Sequence, residues 1–146
     1  MCCLKHENTR RWLDFQLTSH LGFVCCIILS ILVSFTELTV LISMVLFSSI
    51  SYHKKHEIIG VSSYIDNVCA TLLAIYGAYQ LIKTPTYFLF CFEMFLALIS
   101  VTTFMMGFLK RFSALYNIIH PIGMHIIPSI WAMLVICYND RLFLNF

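Results

Sequence analysis

Apolar runs recur along this chain, each close to the roughly twenty residues that carry a helix across bilayer hydrocarbon. The short pieces between them hold nearly all of the Lys, Arg, Asp and Glu. Of the residues, 60% are apolar and 11% charged, against roughly half and a quarter in an ordinary soluble domain. A water-soluble fold of this composition could not cover its own surface, so lipid is the expected solvent. The 146 residues leave room for about five spans in a single domain, and any function must sit within the bundle or on its rims. The expected fold is an all-α, polytopic transmembrane helix bundle covering residues 1–146.

The stretch from Leu21 to His53 has no Pro and no Gly after Gly22, and as one helix it would be about 50 Å long at roughly 1.5 Å per residue. That is too long for one crossing without severe tilt. Ser34-Phe35-Thr36-Glu37 fits a capping box, in which Ser and the Glu three residues on satisfy each other's backbone donors. The first span is therefore expected over Trp12–Val33 and the second over Phe35–His53. A third runs from Ser63 to Lys83, and Thr84-Pro85 separates it from a fourth, Pro85–Lys110, because Pro is tolerated at the first helical position. Arg111–Ile119 is expected along the interface, with the fifth span starting at Pro121 after a break at His120. Five spans with a cytosolic N-terminus put Lys5, Arg10, Arg11, Lys54, Lys55, Lys110 and Arg111 on one side, leaving only Lys83 and Arg141 on the other, as the positive-inside rule requires. Four spans, with one long first helix, divide the charges less well.

The net charge of +2 and the lack of any basic run exclude nucleic acid as a partner. Cys25, Cys26, Cys69, Cys91 and Cys137 lie in apolar runs and read as small hydrophobes. Cys2 and Cys3, beside Lys5, Arg10 and Arg11, form a membrane-proximal pair of the kind that accepts palmitate. The first apolar run lacks a small-residue cleavage site after it and reads as a retained anchor.

Ionisable groups inside a membrane are costly and mark function. Ser49 and His53 share a helix face one turn apart, Asp66 lies in the first turn of the next helix, and His120 and His125 flank the start of the last. The second span ends, and the third and fifth begin, on the same membrane face, so these five residues can meet at one depth. Three imidazoles and a water make a catalytic zinc site, in which the metal gives a hydroxide able to attack an amide or ester carbonyl. Asp66 would accept or orient the water's proton and Ser49 would support the ligand or oxyanion. Glu93, inside the fourth span, reads as a structural carboxyl, neutral or paired with Tyr76, Gln80 or Lys83.

Ser49-Ile50-Ser51-Tyr52-His53, Ile65-Asp66 ahead of Ile75-Tyr76-Gly77-Ala78-Tyr79, and the late pair His120 and His125 resemble the superfamily of alkaline ceramidases, progestin and adipoQ receptors, hemolysin-III-like proteins and the myomaker group. The pattern there is Ser-x-x-x-His in one helix, Asp in the next and His-x-x-x-His in the last. The resemblance implies a zinc-dependent, seven-helix membrane hydrolase of lipid amides or esters, with His53, His120 and His125 as ligands and Asp66 and Ser49 as catalytic groups. It covers about Val45 to Gly77 and His120 to the end of the last span. The chain is short for seven helices, and a missing helix pair between the third and last spans would preserve the sidedness of the final helix. A second copy of the chain would then help to enclose the site. The histidines of His120-Pro121-Ile122-Gly123-Met124-His125 are five apart, which on a regular α-helix separates them by about 140°. A cap position for His120 or a π-bulge near Gly123 would reunite them, and His56 is a substitute ligand.

Two other classes compete. His53 with His120 or His125 could be axial ligands of a haem electron carrier, or the scaffold could serve a non-catalytic assembly, fusion or receptor-like role. Membrane lipid is the expected partner of the hydrolase.

Overall fold

The computed structural model describes residues 15–54, 60–110 and 116–139. Cys2, Cys3, Trp12 and His56, and the basic residues Lys5, Arg10, Arg11, Lys55, Arg111 and Arg141, lie outside the described residues. Among the described residues the structure is helical and has no strand: α1 Phe15–Thr18, α2 Leu21–Leu32, α3 Thr36–His53, α4 Val61–Leu81, α5 Tyr87–Lys110, α6 Tyr116–Pro121, a π-helical turn Ile122–Ile126, and α7 Ile127–Asn139. This is the all-α helical bundle expected. α3 packs between α2 and α4, α7 packs against α2 and α5, and α4 meets α5 only lightly. Leu38, Ile42, Phe23, Cys26, Ala132 and Val135 form the centre of the core.

Three segments are long and apolar enough to cross a membrane: Phe15–Leu32, Tyr87–Met106 and Ile118–Asn139, with mean hydropathies of 1.9, 2.0 and 1.6. α3 and α4 have comparable lengths of 18 and 21 residues but carry more polar side chains. Many of these bond inside the bundle. Thr39 donates to Ser30 Oγ at 2.7 Å and Ser43 to its own helix at Thr39 O, also 2.7 Å, which satisfies hydroxyls that lipid could not. The outer surface is correspondingly apolar, with Leu32, Phe47, Ile75, Ile82, Phe88 and Leu98 all exposed. A surface of that kind is at home in lipid and not in water.

The separation of α2 from α3 falls at Ser34, as the sequence indicates, but the device is different. Ser34 adopts a left-handed conformation, φ 58°, while Phe35 N–H donates to Ser30 O at 2.7 Å and Ser34 N–H to Ile31 O at 3.0 Å. These two bonds make a Schellman motif that terminates α2. No side chain caps α3, so the expected capping box is replaced by a C-terminal cap on the preceding helix. Glu37 instead accepts from Tyr76 Oη at 3.5 Å, tying α3 to α4.

The last span also differs from expectation. No break occurs at His120: α6 runs through it and Pro121, the backbone continues through the π turn, and α7 follows. Pro121 has ordinary helical angles, φ −59° and ψ −37°, so the missing proline donor is absorbed by widening the helix and not by breaking it. Ile127 N–H reaches Ile122 O, the i to i+5 bond of the π form. Gly123 lies within this turn, where a Cβ would overlap the Thr103 side chain of α5. Gly123→Ala should therefore destabilise the bundle by about 1–3 kcal/mol. An unchanged thermal midpoint in detergent would refute that close approach of α5 to the π turn.

Candidate metal centre

Four histidines meet at one end of the bundle. α3 delivers His53 from its last turn, the turn before α2 delivers His20, and α6 and the π turn deliver His120 and His125. His20, His53 and His125 are each at most 2% exposed. Their ligand atoms all lie within 4.8 Å of one another, an arrangement that could hold a metal ion. His120 joins from the side, its Nε2 3.3 Å from Nε2 of His53. The ring centroids of His53 are 5.0 Å from those of both His120 and His125.

The five-residue spacing is reconciled by the π turn. A regular α-helix would point His120 and His125 about 140° apart, whereas one extra residue in the turn makes a five-residue step nearly a full revolution. Their ring centroids are 5.3 Å apart, edge to face.

Hydrogen bonds fix how two of the rings present themselves. Ser19 donates its only hydroxyl hydrogen to Gln16 O at 2.9 Å. Its oxygen lies 2.6 Å from His125 Nδ1; with the hydroxyl hydrogen on Gln16 O, Nδ1–H of His125 donates to Ser19. Nε2 of His125 is then left with its lone pair, 3.5 Å from Ser49 Oγ. His20 repeats the pattern: Nδ1–H donates to Leu17 O at 3.2 Å, and the buried Nε2 has no hydrogen-bond partner. An imidazole whose far N–H is held by a carbonyl or hydroxyl, with its other nitrogen turned toward further imidazoles, has the outer-shell support of a metal ligand. Buried lone pairs gathered in this way repel one another, and a cation is what their arrangement suits.

The expected ligands His53, His120 and His125 are thus brought together, and His20 was missed. The signal was present in the sequence: with two crossings between them, the start of the first span and the end of the second lie on one face. Ser19-His20 therefore belonged at the same depth as His53. Ser49 lies at the cluster as expected. Asp66 is half-buried and lies outside the three-histidine group; it accepts from Ser48 Oγ at 3.1 Å, so neighbouring serines on α3 face different partners. Cys26 and Cys69 are buried free thiols, while Cys25 and Cys91 are exposed. Cys26 donates to Ser129 O at 3.2 Å.

Comparison with protein-family models, with curated proteins and with solved structures gave no match.

Because only neutral imidazole ligates, bound metal should be lost on sufficient acidification. Elemental analysis of detergent-purified protein should find bound divalent metal that His53→Ala and His125→Ala remove, with a lowered thermal midpoint. Metal-free wild-type protein after equilibration with the ion would count against the site.

Proposed function

We propose that this chain is an integral membrane, zinc-dependent hydrolase that cleaves an amide or ester bond of a lipid. The observation that carries the reading is the buried imidazole cluster, with Nε2 of His20 unpartnered and Nε2 of His125 facing Ser49. The ligand atoms of His20, His53 and His125 lie within 4.8 Å of one another, close enough for one ion to be shared among them. Imidazole ligands suit zinc, as they also suit copper, iron and nickel. The sequence resemblance to the ceramidase and adipoQ-receptor superfamily agrees in residue type at Ser49, His53, Asp66 and the two later histidines.

When bound, zinc would supply Lewis acidity and a water of lowered pKa. The residues divide the remaining work. His20, His53 and His125 would hold the ion and leave its fourth position open, with His120 beside His53 at the edge of the site. Ser49 donates to the carbonyl oxygen of the lipid as negative charge develops there. Asp66, oriented by Ser48 on the seam between α3 and α4, accepts the proton of the attacking water. Haem ligation fits less well, since axial imidazoles must stand on opposite faces of a porphyrin, and here the rings contact one another.

Against a panel of ceramides and lysolipids, purified protein should show metal-dependent turnover. His53→Ala should abolish it, and Asp66→Asn should lower it by about 10²–10⁴-fold while leaving the metal in place. Bound metal without turnover of any amide or ester lipid would leave a structural metal on a non-catalytic scaffold.

For topology we infer five crossings with a cytosolic N-terminus, on the charge sidedness of the sequence and the span-length α3 and α4. This places the imidazole layer near the cytosolic face. A glycosylation acceptor inserted near Lys54 should stay unmodified and one near Pro85 should be modified, and the reverse pattern would overturn the orientation.

A further inference from the structure

A second buried polar group lies toward the other end of the bundle, away from the imidazoles. Glu93 of α5 is fully buried. Its Oε2 accepts from Thr84 Oγ at 3.1 Å, the Trp131 and Tyr138 donors lie beside the carboxyl, and Oε1 makes no hydrogen bond of good geometry. The partners expected from sequence are engaged elsewhere or differently: Tyr76 donates to Glu37, and the Lys83 ammonium sits 4.1 Å above the Tyr79 ring. The Gln80 side chain is 1% exposed, and its Oε1 also lacks a partner. Tyr138 lies against Glu93 and Thr84, and Thr84 in turn reaches Gln80 O at 3.4 Å. Leaving buried oxygens unpaired costs free energy, and one of these belongs to a carboxyl group.

Glu93 also lines a cavity of about 330 Å³ between α4, α5 and α7. Its walls are otherwise almost wholly apolar, with Ala70, Ala74 and Gly77 on α4 and Leu96 and Ala97 on α5. Small side chains on α4, and the light contact of α4 with α5, keep the space open. The cavity runs from Glu93 and Trp131 to Phe23 and Met124. From Ala70 to Leu81 this covers about 16 Å of helix.

We propose that this cavity binds a cationic amphiphile, with a protonated primary amine at Glu93 and an alkyl chain lying along the α4–α5 cleft toward Phe23. An ammonium group carries three donors and no acceptor, which matches a partly unpaired carboxylate with amide and phenol oxygens beside it. An alkyl chain matches the apolar walls. A fatty acid would place a second anion against Glu93, and a fatty alcohol would lack the charge. The inference does not depend on the metal centre, so either can fail without the other.

The test uses the full-length protein in detergent with Trp12→Phe, leaving Trp131 beside the cavity as the fluorescent reporter. Dodecylamine should change its emission saturably, and dodecanol and dodecanoate should bind about tenfold more weakly or worse. Glu93→Gln should weaken dodecylamine by a similar factor and remove the preference for the amine. Equal response to the three probes, an unchanged Glu93→Gln titration, or the same response to ammonium chloride alone overturns the proposal. If Glu93→Gln does not fold, Ala74→Phe keeps the carboxyl and fills the cavity. It should lose the dodecylamine response while remaining helical by circular dichroism, and a retained response likewise overturns the proposal.

Discussion

The π-helical turn at Ile122–Ile126 is the constraint on which the metal centre depends. Without its extra residue His120 and His125 would leave the helix on different faces, and only one could meet His53. With it, Pro121 loses no more than its own donor, and the helix stays continuous through the site. The turn needs a small residue where it swells toward α5, and Gly123 against Thr103 supplies that room. A similar approach occurs where Gly22 of α2 lies against Ser129 of α7. The segments bearing His20 and His125 are thus drawn together at backbone distance, with ring centroids 4.0 Å apart.

Lipid as solvent explains the distribution of the remaining side chains. Leu, Ile, Val and Phe cover the outside as well as the core, and the interior also carries Gln16, His20, His53, Gln80, Glu93, His125 and Ser129. In water this would be unstable. In a bilayer the polar groups have nowhere else to find partners, and several become ties between helices: Ser30 with Thr39, Glu37 with Tyr76, Ser48 with Asp66. The groups left incompletely tied gather at two places, the imidazole layer and the Glu93 end of the cavity. One is a set of nitrogen lone pairs, suited to a metal ion. The other is a set of oxygens beside an apolar space, suited to an ammonium on a chain. The same solvent constraint therefore generates two sites of different chemistry.

The sequence by itself determined the fold class, because the lengths of the apolar runs and the scarcity of charge admit few solutions other than a helical membrane bundle. It also determined that His53, His120 and His125 belong at one depth, since that follows from the order and sidedness of helices and not from their packing. The interruption at Ser34 was legible too, although its cap was not. A Ser in the left-handed conformation is rare enough that Ser34-x-x-Glu37 reads more naturally as a helix start than as the end of the helix before it. What tertiary structure decided was every choice among equally placed side chains. Whether Ser48 or Ser49 faces the imidazoles, whether Glu93 meets Thr84 or Tyr76, and whether His20 turns inward depend on helix rotation and crossing. Hydrophobic periodicity sets these poorly when lipid and core are equally apolar. The π turn belongs in the same class: a single added hydrogen-bond register at Gly123 is worth too little to be written in the local pattern, and the close packing of α5 against that glycine selects it.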